Sequence, residues 1–185
     1  MYMDLLHFTP ITAASREEVT AYTLASESRI CDLAFANLFG WAVKYETSYA
    51  IADDTLFIRF TSPARPHPAY LIPIRRGGGC GSDAMERLRH EADAGGYPLV
   101  IMGITPHCRE HLEELCPGGF TFLEDEGAAD YIYLRERLVS LSGKALQSKR
   151  NHVNKFEKLY PDFSYEPITG ANALECLEVE KAWLQ

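Results

Sequence analysis

Ala69-Tyr70-Leu71-Ile72-Pro73-Ile74-Arg75-Arg76-Gly77-Gly78-Gly79-Cys80-Gly81-Ser82 runs from an apolar strand through a glycine-rich turn to the start of a helix. The apolar residues suit a strand, and Pro73 marks its end, an edge or a bulge, because proline cannot donate to a ladder. The glycines permit backbone conformations closed to other residues. From about Asp83 to Ala94, Met85, Leu88 and Ala92 recur on one face of a helix.

Working outward, residues 12–27 predict a helix, with Thr12 or Ser15 to cap it and Glu17 and Glu18 in its first turn. Residues 31–38 predict a second, short helix. Ala42–Tyr45 and Ser48–Ala52 read as strands, and Asp53-Asp54 is a turn leading into the strand Thr55–Phe60. Pro63, Pro66 and Pro68 predict a loop. Downstream, Leu99–Ile104 reads as a buried strand, 106–116 as a helix opened by Pro106, and Phe120–Leu123 and Ala129–Leu134 as strands. Phe163–Ile168 predicts a last strand and residues 171–185 a last helix, with Leu174, Leu177 and Ala182 as its apolar stripe.

This order resembles that of the GNAT acyltransferase fold, an α+β class with a mixed sheet flanked by helices. In that family the pyrophosphate of acetyl-CoA rests on backbone N–H groups between a strand and the next helix, at a Gln/Arg-x-x-Gly-x-Gly/Ala turn. Arg76, Gly79 and Gly81 occupy the marked positions here. A helix N-terminus approached closely over glycines suits an anion; a plain connector between strand and helix has the same composition.

A second stretch inverts the local charge. Lys144, Lys149, Arg150, Lys155 and Lys158 fall within fifteen residues, against the single acid Glu157, in a chain of net charge −8. Read as a helix, Lys144, Ser148, Asn151, Lys155 and Lys158 share one face, opposite Leu146, Val153, Phe156 and Tyr160. Gly143 precedes the helix and Pro161 stops it. Ammonium groups beside neutral amides suit phosphate; a solvated surface helix carries the same residues.

The totals set the frame. The 185 residues, 46% hydrophobic and 24% charged, suit one core and the start of a second. No apolar run approaches the ~20 residues that cross a bilayer, and the N-terminus lacks a basic, apolar leader pattern. Cys31, Cys80, Cys108, Cys116 and Cys176 are odd in number and scattered, which predicts reduced thiols and a cytoplasmic setting. Net acidity disfavours non-specific nucleic-acid binding, so an anionic partner must be met locally. His107 and His111, near Cys108 and Cys116, lack further ligands in the pattern, and no metal site is expected. Glu46 and Asp53-Asp54 are carboxylates near the strands, where a general base and a simple turn are the two readings.

The segment Asp130-Tyr131-Ile132-Tyr133, Leu141, Gly143-Lys144, Ser148-Lys149-Arg150-Asn151-His152, Asn154-Lys155-Phe156, Tyr160-Pro161-Asp162 and Tyr165-Glu166-Pro167 resembles a bacterial family related to the C-terminal domain of phosphatidylglycerol lysyltransferase. The resemblance implies tandem GNAT-like lobes akin to the Fem-type aminoacyltransferases. It further implies an aminoacyl group moved from aminoacyl-tRNA to a lipid or another amine or hydroxyl acceptor. On it, residues 1–142 form a first lobe, 143–160 a basic linker helix and 161–185 the opening of a second, incomplete lobe. Either a further lobe or a homodimer would cover the last helix. Lys144, Ser148, Lys149, Arg150, Asn151, His152 and Lys155 become candidates for tRNA or anionic phospholipid, with the catalytic residues unassigned. Two alternatives stand beside it: a CoA-dependent N-acetyltransferase using Arg76, Gly79 and Gly81, and a non-catalytic module in which Arg150 and His152 are bonded internally.

Overall fold

The computed structural model describes residues 4–26, 28, 30–77 and 80–183. The chain forms two compact units, Met1–Asp130 and Tyr131–Gln185.

The first unit is built on a mixed sheet. Its strands are β1 (Thr9–Pro10), β2 (Ser48–Ala52), β3 (Thr55–Ser62), β4 (Arg65–Leu71), β5 (Ile74–Arg75) and β6 (Ile101–Met102). They lie in the order β1-β2-β3-β4-β6, with β5 also on β3. All pairs are antiparallel except β4 and β6, which run parallel through Tyr70–Ile101 and Leu71–Met102. Asp53 and Asp54 make the two-residue β2–β3 turn with φ of 48° and 54°, the left-handed pair that matches strand twist. Extending the Arg59–Tyr70 register would set Leu56 opposite Pro73; Leu56 pairs instead with Ile74, so one extra residue is taken up at Pro73.

Alternation along β3 supplies two cores. Leu56 and Ile58 join Val19, Tyr22, Leu33 and Leu38 on one face, where α1 (Arg16–Thr23), α2 (Phe35–Gly40) and α3 (Ala42–Tyr45) lie. Phe57 joins Met85, Leu88 and Leu112 on the other, with α4 (Ser82–Gly95) and α5 (Pro106–Leu115). With both faces covered, Thr55–Ile58 is buried at every residue. Thr105 caps α5 by accepting from the Cys108 N–H at 3.2 Å, with Pro106 in the first turn.

Several expectations are corrected. Ala42–Tyr45 is one helical turn, not a strand: Glu46 ends it at φ 47°, and Val43 is 94% exposed and paired in no ladder. The proline stretch is a turn only at Pro63-Ala64; Pro66 and Pro68 belong to β4, in the part paired with β3 alone, where a missing N–H costs no ladder bond. Of Leu99–Ile104 only Ile101–Met102 is strand, and it is half-buried. Phe120–Leu123, Ala129–Leu134 and Phe163–Ile168 are not strands. Their alternation fits a sheet, but a strand exists only where a neighbour takes its N–H and C=O groups. Phe120 and Phe122 pack against the α4–α5 core instead. The first helix ends at Thr23, and residues 31–38 divide into a 3-10 turn at Cys31–Leu33 and α2.

The second unit holds α6 (Arg135–Ser140), α7 (Gln147–Leu159) and α8 (Ala173–Trp183), with a 3-10 turn at Lys144–Leu146 leading into α7. Gly143, at φ 86°, sets that entry. Phe156 packs on Tyr160 and Phe163, each with ring centroids 5.1 Å apart. None of the unit's described residues is buried.

Candidate functional site

Three places bear on function: α7, the glycine turn, and a cavity that the sequence did not announce.

On α7 and its entry, Lys144, Ser148, Lys149, Asn151, His152 and Lys155 are exposed, while Arg150 is half-buried. Arg150 faces inward to its own helix start. Its Nη1 donates to the carbonyls of Leu141 and Gly143, the latter at 3.0 Å, and its Nη2 donates to Gln147 Oε1. Gln147 Nε2 then donates to Asn151 Oδ1 at 2.9 Å. The guanidinium fork thus ties the Leu141–Gly143 turn, at the end of α6 where carbonyls would otherwise lack partners, to the first turn of α7. Lys144, Lys149, Lys155 and Lys158 have no ion-pair partner among the described residues. The basic segment therefore separates into open lysines and one arginine used internally.

The glycine turn is organised against an anion. Gly81 is the N-cap of α4, and the Asp83 carboxylate in the first turn is ion-paired to Arg75 at 2.5 Å. A Cβ on Gly81 would collide with Asp83 Oδ1, so the carboxylate sits directly against the helix start. Arg76 is engaged elsewhere: its Nε lies 3.2 Å from Asp54, its guanidinium stands 4.9 Å over the Tyr22 ring, and its N–H donates to the Asp54 carbonyl. Gly79 lies outside the described residues. The described part of this turn does not fit a pyrophosphate: a carboxylate already occupies the positive end of the helix, and Arg76 points to the β2–β3 turn. Arg76 and Gly81 are thus not brought into one anion site.

His111 and Cys80 are drawn together, His111 Nε2 lying 2.8 Å from the Cys80 carbonyl. Burial pushes the Cys80 thiol up to about 12, with Asp83 adding to the shift. That is a buried, protonated thiol rather than a nucleophile.

The cavity, of about 390 Å³, is lined from α2, α3, β3 and both ends of β4, with Met102 and Gly103 at the end of β6. Leu38, Ile58, Phe60, Leu71 and Met102 give it an apolar lining, and Trp41 and Tyr45 an aromatic side. Gly103, immediately after β6, makes the shape: φ is 71°, and a Cβ there would come within 3.1 Å of Ile30 Cδ1. Only glycine meets both demands without strain. Asp32, Asn37 and Arg65 also line the cavity. The Asp32 carboxyl is held above its ordinary range, first by burial and then by the negative charge of Asp130. Asp130 is placed by accepting from the Cys31 N–H at 2.8 Å. Thr47 and Ser62 line it as well, so apolar and polar groups share the wall of a cavity whose volume is in the range of small-molecule sites.

Sequence reading missed this cavity. Tyr45 stands in a stretch that reads as a strand, Trp41 just before it, and Arg65 in one that reads as a loop. Asp32 and Arg65 are far apart in the chain, and nothing local to either indicates the other.

Comparison with known proteins bears on these features. The family described as "Phosphatidylglycerol lysyltransferase, C-terminal" matches residues 25–185. No curated protein matches. A crystal structure of a conserved protein of unknown function from Bacteroides thetaiotaomicron VPI-5482 is similar, with a TM-score of 0.84 and 39% identity. That match covers 97% of this chain and 59% of the other, so this chain spans little more than half the length of its solved relative. The match to the family takes in all three places, the cavity, the glycine turn and α7, and the chain belongs to the family of the phosphatidylglycerol lysyltransferase C-terminal domain.

Proposed function

We propose that the chain is a GNAT-like acyl- or aminoacyltransferase module, its first lobe lying within Met1–Asp130 and a second lobe beginning in the residues after α7. The observation that carries the reading is the cavity against the parallel strand pair, in a chain whose family is named for a lysyltransferase. The order of elements supports the lobe: the helices α1 to α3, the antiparallel strands β2 to β4, the short β5, the helix α4, and β6 parallel to β4. Transfer in such a site rests mainly on holding acceptor and donor in register. The open lysines Lys144, Lys149 and Lys155, with Ser148, Asn151 and His152, would meet phosphates of tRNA or of an anionic phospholipid. Arg150 takes no part in that binding, being spent on Leu141 and Gly143.

Binding of aminoacyl-tRNA and of phosphatidylglycerol vesicles, measured against salt, tests the reading. The triple variant Lys144→Ala, Lys149→Ala, Lys155→Ala should bind less tightly and show a shallower salt slope, by about 0.7–0.9 for each phosphate that it no longer neutralises. Equal binding by parent and variant would remove α7 from phosphate recognition. Absence of aminoacyl transfer to any amine or hydroxyl acceptor would overturn the transferase reading.

A further inference from the structure

We propose that Asp32 is the general base of the cavity lined from α2 and α3, taking the proton that an amine or hydroxyl loses as it attacks an aminoacyl ester, with Asp130 as its positioning partner. This deepens the proposed function: it rests on that reading for the reaction and assigns the proton transfer to one carboxylate.

A base for this step must stand on the cavity wall with a lone pair to spare. Among the described lining residues Asp32 is the only carboxylate, and no histidine, cysteine or lysine stands with it. Tyr45 and Arg65 bring donors to the wall, and Asn37, Thr47 and Ser62 are neutral. Asp32 has no hydrogen-bond or ion-pair partner among the described residues. The carboxylates singled out in the sequence are engaged instead: Glu46 accepts from Thr61, Asp53 pairs with Arg87 and Asp54 with Arg76. Asp32 is also exposed, so a proton that it takes has a way out to water.

Two carboxylates meet around Cys31 in opposite states. The Cys31 thiol and N–H, the latter at 2.8 Å, donate to Asp130 and hold its carboxyl below the ordinary range. Burial, and then the charge of Asp130, hold Asp32 above that range, and no cation among the described residues offsets this, Arg65 included. One carboxylate fixed as an anion beside another that is drawn towards a proton is the division of roles that acid–base chemistry needs. Asp130 is not among the described lining residues, so it acts through Asp32. In the step itself, the nucleophile's lone pair bonds to the ester carbonyl carbon and its proton passes to Asp32. When the bond to the ribose oxygen breaks, that oxygen takes the proton and Asp32 is a carboxylate again.

Transfer from lysyl-tRNA to phosphatidylglycerol vesicles by the whole chain tests this, together with carbon-13 NMR titration of its aspartates. Asp32→Asn should lower kcat by about 100-fold or more with KM unchanged, and Asp32→Glu should restore part of it. The Asp32 resonance, assigned by its loss in Asp32→Asn, should titrate above about 3.9, the value of a free aspartate. Asp130→Asn can still accept from Cys31 but carries no charge, so Asp32 should ionise more readily. Both the Asp32 titration and the acid limb of kcat/KM should then move to lower pH. Near-UV circular dichroism verifies that the variants keep the parent fold. Transfer by Asp32→Asn at the parent's rate, or a titration and acid limb that Asp130→Asn leaves in place, would overturn this inference while the transferase reading stands. No transfer by the parent would overturn that reading, and the base with it.

Discussion

Tyr49 shows how single side chains tie the first unit together. Its phenol donates to Glu18 Oε2 at 2.6 Å, joining β2 to α1. That bond, then burial, pushes its ionisation up to about 12. The unfolded chain ionises near 10, so the folded state holds the proton more tightly. Stability from this group is complete below about pH 10 and is lost as pH rises through about 12. Tyr49→Phe should therefore lose about 1–2 kcal/mol at pH 8 and show a flatter decline between pH 10 and 12 in urea unfolding. Tyr70, also raised by burial and by its bond to Tyr97, leaves some slope in the variant. An unchanged slope would show that the Glu18 bond does not set the Tyr49 titration. At this scale the sequence was readable where a residue acts on its neighbours, as with the Asp53-Asp54 turn and the Thr105 cap. Asp32 and Arg65 were not readable, because their meaning depends on a cavity formed by distant segments.

Among the elements, α7 was the most legible, since a 3.6-residue period over thirteen residues needs no partner to be recognised. Its chemistry was less so: composition grouped Arg150 with the lysines, and the geometry gives it to the helix start. Arg150→Ala should release the Leu141 and Gly143 carbonyls, lower helix content by circular dichroism and cost about 1–3 kcal/mol of local stability. Arg150→Lys should rescue little, for a point charge cannot span two carbonyls and Gln147. Full helicity in Arg150→Ala, with weakened phosphate binding, would return Arg150 to the anion face. The short elements were the illegible ones. Val43 and Tyr45 are good strand residues, but no strand pairs with Ala42–Tyr45 in a ladder, and the turn closed by Glu46 decides the helix. Tyr131–Leu134 alternates like a strand and has no ladder.

On the scale of the molecule, the two units differ in kind. The first buries residues on both faces of its sheet; the second has no buried residue among those described. Native-state hydrogen exchange should reflect this: β3 and α4 amides should exchange only through global unfolding, and amides of residues 131–183 through far smaller openings. Comparable protection in the two units would show that apolar residues such as Tyr131, Phe156 and Trp183 are covered in solution. Membership of the family rests on the match over residues 25–185, whereas the GNAT-like lobes and their boundaries, drawn from element order, belong to the proposed function.

What the sequence determined by itself is the local grammar: the helices α4, α5 and α7, the β2–β3 hairpin, the break at Pro73, and the family signature around Lys149–Phe156. These follow from periodicity, caps and turn residues within reach of one another along the chain. Only the tertiary structure decided which alternating segments became strands, that Asp83 and Arg75 close the glycine turn, and that Asp32 and Arg65 line one cavity. A ladder and a cavity are relations between distant segments, and no local pattern encodes a partner far off in the chain.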